Sequence, residues 1–271
     1  MIRDLTIGQY FPAKSILHQM DPRIKVLLTL ALIILIFSTG NYVALGLVTV
    51  FAFLMVFLSG ISMKLYLKSL KMVLFLVLFT AILNLFYGVG EPIFQWGFLK
   101  ITEAGINNSI FVFIRITSLI LVSSVLTFTT TPTDLTDGLE RLMQPLKLFH
   151  VKVSEIAMMM TIAMRFVPTR LEETDKITNA QKARGADLES GGFIQRMRAL
   201  IPILVPLFVS SFRRAYDLAM AMECRCYRGG DHRTRMKTLH MKTLDGCAIL
   251  VVGLLCTGVI LCNIRLVPTI R

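Results

Sequence analysis

Five apolar runs, each close to the length at which a helix crosses a bilayer, restrict this chain more than any other feature. A helix rises about 1.5 Å per residue, so about 20 apolar residues cover a hydrocarbon core. Such runs occupy residues 24–39, 42–60, 70–88, 106–128 and 246–264. Within lipid each backbone N–H and C=O must be satisfied inside the segment, which makes runs of this length helices. The 271-residue chain is 55% hydrophobic and 17% charged, where soluble domains carry about a quarter. The expected fold is an all-α polytopic membrane protein. Residues 1–128 form a membrane domain of four spans, 129–245 a cytoplasmic section, and 246–271 a last span with the C-terminus.

The first 25 residues are polar and lack the short apolar core and small-residue cleavage site of a signal peptide. The first run is therefore expected to remain as a mature span. Lysines and arginines set the orientation. Lys64, Lys68 and Lys71 fall between the second and third runs, and most other cations fall in 129–245. Those regions share a side only if the N-terminus is cytoplasmic and the C-terminus external, with Arg265 and Arg271 a modest breach of the positive-inside rule. A net charge of +12 without one basic face interleaved with aromatics points to such loops, not to nucleic acid. Arg115 lies inside the fourth run, where a charge marks either a transport pathway or a packing contact.

Three helices are predicted in the cytoplasmic section. "TPTDLTDGLERLM" opens with Thr131-Pro132-Thr133-Asp134, a helix start, and carries Leu135, Leu139, Leu142 and Met143 as an apolar stripe ending at Pro145. Next comes a long helix, kinked at Pro168, that begins with Met158, Met159, Met160 and Met164 and ends at Ala183-Arg184-Gly185. The third holds "ALIPILVPLFVSSF", including Leu204 and Leu207, and ends at Cys224-Arg225-Cys226 before Gly229-Gly230. Its centre is greasy enough to cross a membrane. Pro202 and Pro206, and the close flanks Arg196, Arg198, Arg213 and Arg214, place it instead against a partner helix outside the bilayer.

Two long amphipathic helices thus end alike, with one arginine between small residues. Small neighbours leave a guanidinium free to enter a narrow groove, where its fork of five donors suits a carboxylate or backbone carbonyls. A lone cation at a helix C-terminus is otherwise explained by the helix dipole. The repetition favours docking.

Other chemistry finds little support. Cys224 and Cys226 with His232 and His240 lack metal-site spacing, so no metal is expected. No phosphate-binding G-x-x-x-x-G-K-[ST] loop, G-x-S-x-G elbow or H-E-x-x-H pair occurs. Asp134 and Asp137 read as first-turn helix residues. The five cysteines form no disulfide framework.

The N-terminal "GQYFPAKSILHQMDPRIK" (Ser15, His18 and Asp21-Pro22-Arg23), "TPTDLTDGLERLMQP", "MRFVPT" before "AQKARGA", and "AMECRCYRGG" together resemble one family. The chain is similar to the transmembrane T component of energy-coupling factor transporters, over essentially its whole length. The resemblance implies two crossing coupling helices whose arginines each dock in one of two ATP-binding cassette ATPases, a heterodimer by the difference between the motifs. Ala183, Arg184 and Gly185 match the first motif. Cys224, Arg225 and Cys226 match the second, with cysteines where alanine and glycine are usual. It further implies a prokaryotic plasma-membrane subunit that is not an enzyme, with ATP and Mg bound only by the ATPases. A membrane substrate-binding subunit would rest on Leu135, Leu139, Leu142, Met158, Met159, Leu204 and Leu207. The cargo would be a vitamin or other micronutrient. Two rivals remain at this stage: a self-sufficient permease using Arg115, and a lipid-modifying enzyme using Asp134 and Asp137.

Overall fold

The computed structural model describes residues 10–86, 92–96, 99–186, 192–229 and 240–265. It divides into two compact units. One comprises the described residues of Gly8–Leu142 and Thr238–Arg271, the other those of Met143–Lys237.

In the first unit a short helix, α1 (Ile16–Gln19), precedes α2 (Pro22–Ser38), α3 (Tyr42–Leu58), α4 (Met63–Phe86), α5 (Glu103–Thr129), α6 (Pro132–Leu142) and α9 (Thr243–Arg265). Local chemistry sets the boundaries. Asp21 caps α2 by accepting from the Arg23 amide, and Pro22 occupies the first turn, where its missing N–H costs nothing. Thr102 caps α5 through the Gly105 amide at 3.1 Å. Between α3 and α4 the chain turns at Gly60, whose φ of +67° suits glycine.

The core of this unit is a stripe on each helix. Ile36, Ala44, Val48 and Ala52 are fully buried, joined by Leu32, Leu121, Phe128 and Val259. The two alanines let α3 approach its neighbours closely, as packing in lipid favours. Outward, Phe57, Met72 and Phe75 are at least 75% exposed. Such surface would be a liability in water and is ordinary against lipid. The protein is a polytopic, helical membrane protein.

Two expected features are redrawn by the structure. The third span starts at Met63, so Lys64, Lys68 and Lys71 sit on the first turns of α4, not in a loop. Helix propensity of the lysine-leucine run overrides the expected boundary. The segment expected as a loop at 89–105 contains an antiparallel pair, β1 (Pro92–Trp96) and β2 (Leu99–Thr102). Helices α2 and α3 have 17 residues each. Helix α8 (Phe193–Cys224) of the second unit has the length and apolarity of a span over Ile194–Cys224, alongside Met63–Leu85, Glu103–Thr129 and Thr243–Arg265.

The second unit consists of a 3₁₀ turn (Gln144–Phe149), α7 (Val153–Ala183) and α8. The short helix expected to stop by Pro145 does so: α6 ends at Leu142, and Pro145 lies in the separate 3₁₀ turn. α7 continues as one helix through Pro168, and α8 through Pro202 and Pro206, each proline leaving out one bond of the ladder. Few side chains are buried: Val153 and Ala157 on α7, and Ile203 on α8.

Candidate functional site

The two arginine phrases adopt one backbone motif. At the end of α7, the Gly185 amide donates to the Lys182 carbonyl and the Ala186 amide to the Gln181 carbonyl, both at 3.0 Å. At the end of α8, the Cys226 amide donates to Glu223 at 2.9 Å and the Tyr227 amide to Met222 at 3.0 Å. This pair of bonds, from the two residues after the cap back into the last turn, is the Schellman ending. In both, the arginine is the C-cap and the residue after it is left-handed: Gly185 at φ +87° and Cys226 at φ +58°.

The ending explains the residue types. A left-handed position suits glycine and costs an L-residue about 1–2 kcal/mol. Gly185 meets it without strain, while Cys226 is held there with its Cβ. The end expected at Arg225 is where α8 stops, with Arg225 as its cap; Cys226, ahead of the glycines at 229 and 230, reverses the chain. Arg184, Gly185, Cys224, Arg225 and Cys226 are all exposed. Among the described residues neither guanidinium has a hydrogen-bond or ion-pair partner. Both are fully available.

A polar node joins the helices. The Glu173 carboxylate accepts from the Ser210 hydroxyl at 2.5 Å, from Arg170 at 3.0 Å and from Arg214 at 3.1 Å. Arg170 also donates to the Ser210 hydroxyl at 3.2 Å. The Ser210 hydroxyl, reinforced by the Arg214 and Arg170 charges, holds the Glu173 carboxyl below the usual carboxylate range. Further along, the Gln181 amide donates to the Pro202 carbonyl at 3.4 Å. Pairing of 173 with 210 and 214, and of 181 with 202, means that α7 and α8 run antiparallel. Arg184 and Arg225 therefore lie on opposite sides of the node.

Known proteins resemble this chain in sequence over most of its length. Residues 13–236 match the family model described as cobalt transport protein. The energy-coupling factor transporter transmembrane protein EcfT of Ruminiclostridium cellulolyticum is 53% identical over 254 residues, covering 94% of each chain. Proteins of the same name from Thermosediminibacter oceani and Clostridium kluyveri are each 48% identical, over 96% and 97% of this chain. The chain belongs to the EcfT family. It is the transmembrane component of an energy-coupling factor transporter, and so one subunit of a transport complex.

The other expected site residues divide by unit. In this EcfT chain α6 buries Thr136 and Gly138, leaving Leu135, Leu139 and Leu142 half-covered. Gly138 permits the packing, because a Cβ there would lie 3.2 Å from the Pro22 side chain. On α7, Met158 is half-buried and Met159 is 61% exposed; on α8, Leu204 is 47% exposed and Leu207 half-buried. Each unit thus leaves an apolar face available.

Several residues quoted for the resemblance prove to be scaffold. Ser15 bonds His18 Nδ1 at 2.7 Å, His18 Nε2 bonds the Phe11 carbonyl at 2.9 Å, and the Phe11 amide donates to Phe128 at 3.1 Å. Arg23 grips Asp21 through both carboxylate oxygens. Asp245, 1% exposed, accepts from the Asp21 amide at 2.9 Å and the Lys242 amide at 2.8 Å, tying α9 to the start of α2. Lys25 donates to the Thr129 carbonyl at 3.1 Å. The Thr131 hydroxyl donates to Asp134 at 2.7 Å and accepts from the Asp134 amide at 3.1 Å, which confirms the helix start and occupies Asp134 structurally. Arg115 donates to the Thr39 carbonyl at 2.5 Å and covers the Phe111 ring at 4.6 Å, a packing contact at the end of α2. His232 and Gly230 lie outside the described residues.

Asp245, Glu173 and Ser210 were missed because their partners are distant in sequence. Only an unexplained acid on an otherwise apolar helix hinted at Asp245.

Proposed function

We propose that this chain is the non-catalytic coupling subunit of an ATP-driven importer, and that α7 and α8 carry motion from ATPases to a membrane substrate-binding subunit. One observation carries the reading: two antiparallel helices end in the same Schellman motif, each presenting an exposed arginine without a partner. A free guanidinium on a rigid cap fits an acceptor-lined groove on another protein. Two ends facing opposite ways suit two ATPases, and the different caps, Gly185 against Cys226, suit a heterodimer. ATP and Mg belong to those ATPases. This chain has no phosphate-binding loop and supplies no catalytic residue.

The exposed apolar faces of α7 and α8, with Met159 and Leu204, offer the membrane subunit an apolar surface in one unit, and the half-covered stripe Leu135, Leu139 and Leu142 offers one in the other. The cargo is a vitamin or other micronutrient. The related names support energy-coupling factor transport, and the family description adds cobalt as one cargo in the family. In the plasma membrane, α2, α3, α4, α5 and α9 are the spans. The N-terminus and the second unit are cytoplasmic and the C-terminus is external. Span-like composition makes a transmembrane α8 the competing topology.

The test is co-expression of this chain with a pair of ATP-binding cassette subunits and a substrate-binding membrane subunit, purified through a tag on this chain. Arg184→Ala, Arg225→Ala and the double variant are compared with wild type for ATPase recovery and ATP-driven uptake. Losing one buried charge-assisted contact costs on the order of 2–5 kcal/mol. Loss of ATPases or of uptake in the double variant supports the reading. Full recovery and full uptake in the double variant, or no ATPase bound to wild type, overturns it.

A further inference from the structure

The node at Glu173 has a position that its stabilising role does not require. Eleven residues separate Glu173 from Arg184, and eleven separate Arg214 from Arg225. At about 1.5 Å per residue each arm is roughly 16 Å long. Because the helices are antiparallel, the Glu173–Arg214 contact at 3.1 Å lies midway between the two exposed arginines.

Beyond the long Gln181–Pro202 bond at 3.4 Å, little else fixes the register of this pair. The only buried apolar side chains among the described residues of α7 and α8 are Val153, Ala157 and Ile203, and the first two lie at the far end of α7 from Arg184. Apolar surfaces can slide on one another, since burial is non-directional. A carboxylate with three donors cannot slide without losing charge-assisted bonds, which are the stronger and more directional kind. Both Glu173 oxygens are engaged, and its donors come from its own helix and from two successive turns of α8. Glu173 is one-fifth exposed and Arg170 about one-quarter. Isolated surface ion pairs contribute little, whereas a network of fixed geometry is the exception.

We propose that Glu173 is the positioning residue of the coupling unit: it pins α8 to α7 at one point through Ser210 and Arg214, so that Arg184 and Arg225 move as the ends of one body. This rests on the coupling function proposed above. Without the pin, each arginine still binds its ATPase, but displacement of one end is absorbed by slippage between the helices. Binding and transmission separate.

The experiment uses the full complex in proteoliposomes, with Glu173→Gln, Glu173→Ala, Arg214→Ala and the double variant of Glu173→Ala with Arg214→Ala. ATPase recovery and uptake per ATP hydrolysed are read together. In parallel, spin labels at Lys182→Cys and Arg228→Cys, with the native cysteines replaced by serine, report the distance between the ends in the chain alone in nanodiscs. The pin predicts near-normal ATPase recovery, uptake per ATP reduced about fivefold or more, the low end of a coupling free energy, and a broadened distance distribution. It also predicts a double variant no worse than Glu173→Ala, since both act at one contact. Glu173→Gln keeps the side-chain volume, so its effect is separated from misfolding. Unchanged uptake per ATP, an unchanged distance distribution, or additive losses would each overturn the pin. The distance measurement judges it even if the ATPases fail to bind and the coupling function itself falls.

Discussion

Glu173 on α7 and Arg214 on α8 meet at 3.1 Å, and around them the two long helices pass antiparallel. The Ser210 hydroxyl, then the two arginines, keep the carboxylate ionised to lower pH than usual. A carboxyl with a depressed folded pKa stabilises the structure above its unfolded value, and that stability is lost as pH falls through the folded value. The α7–α8 pairing should therefore hold at neutral pH and down to the ordinary glutamate value of 4.5, then loosen below it. The distance between spin labels on the two helices, followed from pH 7 downward (about 0.5 unit per step), tests this. Glu173→Gln should remove that acid transition; an identical transition in the variant assigns it to another group.

The left-handed caps differ in cost. Cys226→Gly should stabilise the end of α8 by about 1 kcal/mol, and Gly185→Ala should destabilise the end of α7 by about the same. No atom lies within 4 Å of a Cβ at Gly185, so the effect is conformational and not a clash. Hydrogen exchange at the Tyr227 and Ala186 amides, which close the two motifs, reads both changes directly.

Asp245 supports two amides at once, that of Asp21 buried and that of Lys242 partly so. Asp245→Asn keeps one acceptor oxygen and should be milder, whereas Asp245→Ala strands the buried Asp21 amide at about 1–3 kcal/mol and releases the Lys242 amide. Thermal unfolding in detergent should rank wild type above Asp245→Asn above Asp245→Ala. Equal melting of all three would show that water satisfies these groups.

Packing of α5 on α4 depends on Gly105, where a Cβ would lie 2.4 Å from the Leu85 carbonyl oxygen. Gly105→Ala must shift backbone and should cost about 1–3 kcal/mol. Gly253→Ala, with open space around it, should be close to neutral. Comparison of the two melting temperatures checks the α4–α5 interface.

Topology is accessible through native thiols. Cys224 and Cys226 are exposed at the end of α8. With Cys247, Cys256 and Cys262 changed to serine, a membrane-impermeant maleimide should label only inside-out vesicles. Labelling from outside would make α8 a span.

The sequence made the apolar helices legible because their pattern is local: length, apolarity and the caps at Asp21 and Thr131 lie within a few residues. The cap function of Arg184 was likewise readable, since Gly185 announces a left-handed end. The end at Arg225 was readable too, but not that Cys226 makes the left-handed turn, because no residue preference marks cysteine for that conformation and the glycines at 229 and 230 looked like the stop. Nor was the start of α4, where three lysines read as a loop although their spacing keeps them exposed on one helix. Glu173 with Ser210 and Asp21 with Asp245 stayed invisible for a different cause. Each pair is set by tertiary approach, 37 and 224 residues apart, and nothing in one chain segment names the other.

The equal spacing of Arg184 and Arg225 from the node has a mechanical meaning. A beam supported at its midpoint has no gearing: a push at either end gives an equal and opposite travel at the other. Neither ATPase would hold leverage over its counterpart, whichever closed first. Any inequality between them would have to arise at the tips, where one cap is a relaxed glycine and the other a strained cysteine.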